Sequence, residues 1–253
     1  MSSSIERIMK LFRRGGAGET VSEVSHLLFE IEQPFNSLYD QGLKLSETPD
    51  RGRKRRARFY NLINTLKYVD HLEGAVVECG CWKGLSSYLI CQFIRINRPE
   101  FIGAGYHIFD SFEGLSAPSV EDRITTNLVD SRGDRANTFF KSAGAYNAPL
   151  EHVKRVLADF PEVEYHKGWL PGSLDGFKVP RIKFLHIDLD LYEPIYGVLQ
   201  LLYPLVVPGG VIVCDDYGSL YWPGAKKAVE DFVAQSGARF ISLSSGQAML
   251  IKS

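Results

Sequence analysis

The stretch Ile182–Tyr217, IKFLHIDLDLYEPIYGVLQLLYPLVVPGGVIVCDDY, decides how the rest of the chain is read. It holds two apolar runs, 182–187 and 209–214, each of strand length, with a helical segment over 193–205 between them. Two apolar strands joined by a helix make a parallel crossover. Each strand runs straight into carboxylates, Asp188 and Asp190 after the first and Asp215 and Asp216 after the second. Adjacent parallel strands therefore bring four acidic groups to one edge of a sheet.

Outward from this stretch the same alternation extends back to residue 75. Strands are expected over 75–79, 105–109 and 162–166, with helices over 85–97 and 149–159, and a further helix over 223–235. Phe240–Leu243 and Ala248–Ile251, separated by Ser244-Ser245-Gly246, read as a closing hairpin. The expectation is an α/β fold: a seven-stranded, mostly parallel sheet with helices on both faces and an antiparallel finish. Residues 116–148 have no clear period and read as an insertion over the site.

The segment 1–74 differs from the rest and reads as a helical N-terminal cap on a 75–253 domain. Ser3 with Glu6 and Thr20 with Glu23 are capping-box pairs, which predict helices over 4–14 and 21–32, the second stopped by Pro34. A third amphipathic helix carries Phe59, Leu62, Ile63, Leu66 and Val69 on one face.

Composition narrows the partners. The 253 residues suit one large domain, and 29 basic against 30 acidic residues leave a net charge of -1, with no overall field to hold nucleic acid. No run approaches the roughly 20 apolar residues of a membrane span, and the start MSSSIERIMKLFRRGG lacks a continuous signal-peptide core. Three of the four cysteines, Cys79, Cys91 and Cys214, lie in apolar runs, and Cys79-x-Cys81 has the wrong spacing for a redox or zinc pair. A reducing, cytoplasmic setting is expected, without nucleic-acid or membrane partners. The oligomeric state stays open, a homo-oligomer included.

In an open parallel sheet, ligands bind beyond the carboxyl ends of the strands. After the first strand comes Glu78-Cys-Gly80-Cys-Trp-Lys-Gly84, either a cofactor loop or a plain strand-to-helix turn. After the second comes Asp110, followed by Ser111; a carboxylate there accepts ribose hydroxyls or caps a turn. After the third, Gly168-Trp169 offers a flat face for an adenine, or a core residue. The acidic edge of Asp188, Asp190, Asp215 and Asp216 calls for a hard divalent cation such as Mg²⁺. His166 and His186 read as satisfied core groups, and the basic run Arg51–Arg58 as a solvated face.

Together, Glu78-x-Gly80-x-x-x-Gly84, Asp110-Ser-Phe-Glu-Gly114, Gly168-Trp169, Asp188-Leu-Asp190-Leu-Tyr-Glu193 and Pro208-Gly-Gly-Val-Ile-Val-Cys-Asp215-Asp216-Tyr217 resemble the macrocin O-methyltransferase family of S-adenosylmethionine enzymes. The resemblance covers about residues 55–236 and implies the class I methyltransferase (Rossmann-like) fold with a helical N-terminal lid. It implies a metal-dependent enzyme that methylates a hydroxyl of a small molecule, typically a sugar of a secondary metabolite. Glu78, Gly80 and Gly84 would hold the methionine end of S-adenosylmethionine, Asp110 and Ser111 the ribose side, and Gly168-Trp169 the adenine border. Asp188 would serve both the cofactor side and the metal, with Asp215 and Asp216 completing the Mg²⁺ site and Asp190 acting as the base. Compared with catechol-type relatives, Leu191 replaces a catalytic lysine, which favours an aliphatic hydroxyl. The rival reading takes Asp188-x-Asp190 as the metal-binding DxD of a glycosyltransferase, which leaves the Glu78–Gly84 loop unexplained.

Overall fold

The computed structural model describes residues 27–123, 142–178 and 181–253. Among the described residues three helices precede the sheet: α1 (Leu28–Ile31), α2 (Phe35–Leu45) and α3 (Arg53–Tyr68). The expected helix over 4–14 lies outside the described residues, and of the one over 21–32 only its end is described. Helix α2 is an addition to the sequence reading. Pro34, read as a stop, ends α1 and stands at the N-cap of α2, whose face of Phe35, Asn36, Tyr39 and Gly42 is buried. A proline that breaks one helix is compatible with the start of the next, where its missing N–H has no partner to lose.

The sheet follows from runs that are apolar on both faces. β1 (Ala75–Cys79) is buried at every position, as is β4 (Ile182–Ile187). β2 (Tyr106–Asp110), β3 (Glu164–Lys167) and β5 (Val206–Cys214) complete the parallel part. β6 (Phe240–Ser242) and β7 (Ala248–Ile251) form the expected hairpin, with β7 antiparallel to β5. The order across the sheet is β3-β2-β1-β4-β5-β7-β6. Connections from β1 run to opposite sides, so the reversal of strand order falls between β1 and β4.

Four helices cover the sheet: α4 (Leu85–Asn97), α5 (Leu150–Val156), α6 (Tyr192–Leu202) and α7 (Pro223–Ser236). Helix α6 ends before the expected 205 because Pro204 has no N–H to continue the ladder, and residues 203–205 tighten into a 3₁₀ turn. Strand alternation splits the core. Val76, Ile108, Phe184 and Val211 share one cluster with α2, α3 and α4, and Val77, Phe109, Leu185 and Ile212 share another with α6 and α7. The helices before residue 75 are thus built into the first layer through Phe35, Tyr39, Leu62 and Leu66. All four cysteines are free and buried, and no described helix is long and apolar enough to cross a membrane.

Candidate active site

The carboxyl ends of the strands are tied to one another by backbone hydrogen bonds. Gly80 N–H donates to the Phe109 carbonyl at 2.8 Å, Asp188 N–H to Cys79 at 2.8 Å, Asp215 N–H to Ile187 at 2.9 Å and Gly168 N–H to Asp110 at 3.0 Å. These links fix the first residue of each loop as the rim of a cleft of about 380 Å³. The rim carries Gly80, Asp110, Ser111, Trp169, Asp188, Asp190, Asp215 and Asp216. Gly80 is required there: it has φ +85°, and a Cβ would stand 2.0 Å from the Asp188 carbonyl oxygen.

Two of the residues assigned to the cofactor loop do not reach the cleft. Glu78 points into the α4 layer, is fully buried, and accepts hydrogen bonds from Ser87, from Tyr106 at 2.6 Å and from His186 Nδ1 at 2.9 Å. Burial alone would raise its pKa, but the His186 and hydroxyl contacts hold it below the usual carboxylate value. Gly84 is the left-handed N-cap of α4 and faces Val153 and Val156. Both residues support the loop from beneath. Alternation along β1 puts Glu78 on the Val76 face, a placement readable from the sequence once the cleft end of the strand is known.

Asp110 is held as a turn residue while facing the cleft. One carboxylate oxygen accepts from Cys81 N–H at 2.8 Å and Trp82 N–H at 3.3 Å, and the other from Phe112 N–H at 2.7 Å. Trp169 is 45% exposed on the cleft wall, so the core reading of this residue falls away. His186 is buried with its Nε2 lacking a hydrogen-bond partner, 3.8 Å from Asp215 Oδ1. His166 lies toward the β3 edge, 3.3 Å from His107 and grouped with Glu164.

The acidic edge is denser than its sequence suggests. Carboxylate oxygens of Asp188, Asp190 and Asp216 lie within 4.8 Å of one another. Asp190 sits at φ +61° and is spanned by a 2.6 Å hydrogen bond from Leu191 N–H to the Leu189 carbonyl, the strained form of γ-turn. Asp216 is 4% exposed, and its Oδ2 has no hydrogen-bond partner. Burial first, and the neighbouring Asp188 charge second, push its pKa up to about 7 against the pull of Arg58. Asp215 differs from the other three: its Oδ2 takes Arg58 and its Oδ1 takes Gln247 Nε2 at 2.7 Å. The structure gathers Asp188, Asp190 and Asp216 as the closest carboxylate set, with Asp215 grouped instead with His186 and Asp188.

Arg58 is the cleft residue at the acidic edge that sequence reasoning missed. Its guanidinium enters the acidic edge, bonding Asp215 and, at 3.0 Å, Asp216. Burial works against its charge, but Asp216 and Asp188 outweigh that and raise its pKa. The solvated-face reading of Arg51–Arg58 holds for the exposed Arg51, Arg53 and Lys54 and is corrected at the partly buried Arg55 and Arg58; Arg51, Lys54, Arg55 and Arg58 all line the cleft. Apolar residues at 59, 62, 63 and 66 orient α3 toward the core, and positions 51, 55 and 58 precede that stripe by helical spacing. Trp82, Tyr146 and Trp222 also line the cleft, with the Trp82 and Tyr146 rings 5.4 Å apart edge to face.

Strand order and cleft position define the class: this is a class I methyltransferase fold with its site at the reversal of strand order. The chain belongs to the macrocin-O-methyltransferase (TylF) family, whose model matches residues 48–240, and is an O-methyltransferase. It is 26% identical over 190 residues to the 8-demethyl-8-(2,3-dimethoxy-alpha-L-rhamnosyl)-tetracenomycin-C 4'-O-methyltransferase of Streptomyces olivaceus, covering 74% of this chain and 67% of that one. It is 28% identical over 171 residues to the demethyldecarbamoylnovobiocin O-methyltransferase of Streptomyces niveus, covering 66% and 60%. The match therefore spans about two thirds or less of these curated relatives. Among solved structures, the O-methyltransferase NovP superposes with a TM-score of 0.66 at 21% identity, over 87% of this chain and 99% of that one. The glycosyltransferase reading is not favoured by any of these likenesses.

Proposed function

We propose that the chain transfers a methyl group from S-adenosylmethionine to a hydroxyl of a sugar on a secondary metabolite, with a divalent cation such as Mg²⁺ at the acidic edge. The observation that carries the reading is the buried, unpartnered Asp216 oxygen beside Asp188 and Asp190. Like charges crowd at this density where a hard cation takes oxygen ligands, so the residues fit one. The named relatives, which act on tetracenomycin- and novobiocin-type compounds, support the acceptor class. The free, buried thiols support a reducing, cytoplasmic setting.

When bound, the sulfonium cofactor supplies an already activated methyl, and the cation lowers the proton affinity of the acceptor hydroxyl. The protein's own residues do the rest. Asp188 and Asp216 would hold the cation, with Asp215 backing them through Arg58 and Gln247. Asp190, presented by its strained turn, takes the hydroxyl proton. Gly80, Asp110, Ser111 and Trp169 line the cleft and would hold the cofactor, Gly80 by leaving its backbone open to close approach, Asp110 and Ser111 on the ribose side and Trp169 toward the base. The start of α3 on one side and Ser116 and Tyr146 on the other border the cleft and would exclude water from it, while residues 124–141 of the expected insertion lie outside the described residues.

Transfer of labelled methyl to a panel of glycosides tests the proposal, alongside Asp190→Asn. The variant is expected to keep S-adenosylhomocysteine and cation binding while turnover falls about 10² to 10⁴-fold. Unchanged turnover removes Asp190 as the base; full wild-type activity with the metal demonstrably stripped removes the cation.

A further inference from the structure

Strands β2 and β3 pair in parallel at one edge of the sheet, with His107 opposite Glu164 and Phe109 opposite His166. Side chains two residues apart on a strand share a face, so His107, Glu164 and His166 stand together on the α6 and α7 side. His107 Nδ1 lies 3.3 Å from His166 Nε2 and 3.6 Å from Glu164 Oε1. The segment after β3 borders them and leaves an open cavity of about 420 Å³, lined also by Ser173, Asp175 and Phe177. This cavity shares no described lining residue with the cleft.

The two imidazoles are arranged as ligands rather than as charged partners of the carboxylate. Burial lowers the pKa of both, and the His107 charge lowers that of His166 further, so each neutral ring presents one nitrogen lone pair. A neutral His107 forms no ion pair with Glu164, and 3.6 Å is beyond hydrogen-bond length. Ring contacts fix the orientation. His166 stacks on Phe109 at 4.2 Å and 10°, and Phe177 meets His107 and His166 edge to face at 5.2 and 5.4 Å. Ser173 Oγ is buried against the same cavity without a hydrogen-bond partner.

Donor spacing selects the ion. Bonds of about 2.1 Å separate neighbouring ligand atoms by about 3.4 Å in a tetrahedron and about 3.0 Å in an octahedron. The observed 3.3 and 3.6 Å match the tetrahedron. Two imidazoles and one carboxylate are a three-ligand set for zinc, with water in the fourth position. We propose that His107, Glu164 and His166 bind one Zn²⁺ at the β3 edge, with Ser173 Oγ as a partner for its water. The ion clips edge strand β3 to β2 just before Gly168-Trp169, and so steadies that wall of the cleft from outside. The site is separate from the acidic edge and stands independently of the methyltransferase reading.

The test is titration calorimetry of zinc chloride into the chelator-stripped full chain at neutral pH, with millimolar Mg²⁺ present to occupy the acidic edge. Zn²⁺ is expected to bind one to one. Losing a group behind a zinc ligand costs about 10 to 100-fold in affinity, so Glu164→Gln and His166→Gln should each weaken binding at least about tenfold. Glu164 is exposed, so its variant keeps the fold. Asp188→Asn, at the acidic edge, is expected to leave this binding unchanged. Co²⁺ in place of zinc is expected to show the intense visible absorption of a four-coordinate ion. The proposal is overturned if the wild type binds no Zn²⁺ beside Mg²⁺, or if Glu164→Gln binds it as tightly as the wild type. It is also overturned if Asp188→Asn removes the binding, which assigns the zinc to the acidic edge, or if Co²⁺ shows only the weak bands of a six-coordinate ion.

Discussion

Asp216→Asn should stabilise the protein where most buried substitutions do the opposite. Asp216 titrates near its ordinary 3.8 when unfolded and at about 7 when folded. A raised folded pKa means that the favourable state is the protonated one, complete below about pH 4 and lost as the pH climbs through 7. At about 1.36 kcal/mol per unit, the ionised carboxylate costs the metal-free fold on the order of 2 to 4 kcal/mol at pH 8. Asparagine keeps the shape and removes the charge. Urea unfolding in EDTA should therefore show the variant more stable than wild type at pH 8, with the margin shrinking to about 1 to 2 kcal/mol at pH 5 and closing near pH 4. Millimolar Mg²⁺ should reverse the order, because the cation stabilises only the chain that retains the carboxylate. Destabilisation of the variant at pH 8 in EDTA would refute the reasoning, since it would mean that Arg58 and its surroundings already satisfy the charge.

The remaining predictions concern the residues around this edge. Gly80→Ala places a methyl against the Asp188 carbonyl at φ +85°, and should cost about 3 kcal/mol or more in thermal unfolding while abolishing cation binding. His186→Leu leaves the buried Glu78 carboxylate without its strongest partner and should destabilise by about 3 to 5 kcal/mol, read by denaturant titration at pH 7. The lowered Glu78 pKa contributes stability that is full above its ordinary 4.5 and fades as acid is added through the folded value. Glu78→Gln should accordingly flatten the acid limb of the pH–stability curve. Arg58→Met uncovers Asp215 and Asp216 and should destabilise the metal-free protein at pH 8, with Mg²⁺ recovering part of the loss in the same assay.

The centre of the sheet was legible because β1, β2 and β4 are buried on both faces, and a run such as Val76-Val77 or Val211-Ile212-Val213 has no polar alternation to confuse it with a surface helix. Each strand end also announced itself by a carboxylate or a glycine, which placed the rim residues Gly80, Asp110, Asp188 and Asp215 before any geometry. What stayed hidden depended on side-chain direction across the fold. Nothing local in Arg58 says that a helix far away in the chain will deliver it to Asp215 and Asp216. Glu78 reads as a rim residue because it neighbours Gly80, yet the two-residue period of β1 turns it inward to His186. Asp190, two residues past Asp188, was placed at this edge from the sequence, but not the left-handed residue that turns it toward Asp188 and Asp216.

The central claim is a methyltransferase site in which cofactor and cation lie side by side, and titration calorimetry of S-adenosylhomocysteine with and without Mg²⁺, followed by Mg²⁺ alone, tests it most directly. The account predicts one binding site for each, with Mg²⁺ binding releasing a proton near pH 7 and lost in Asp216→Asn. Mg²⁺ binding with no S-adenosylhomocysteine binding would contradict it.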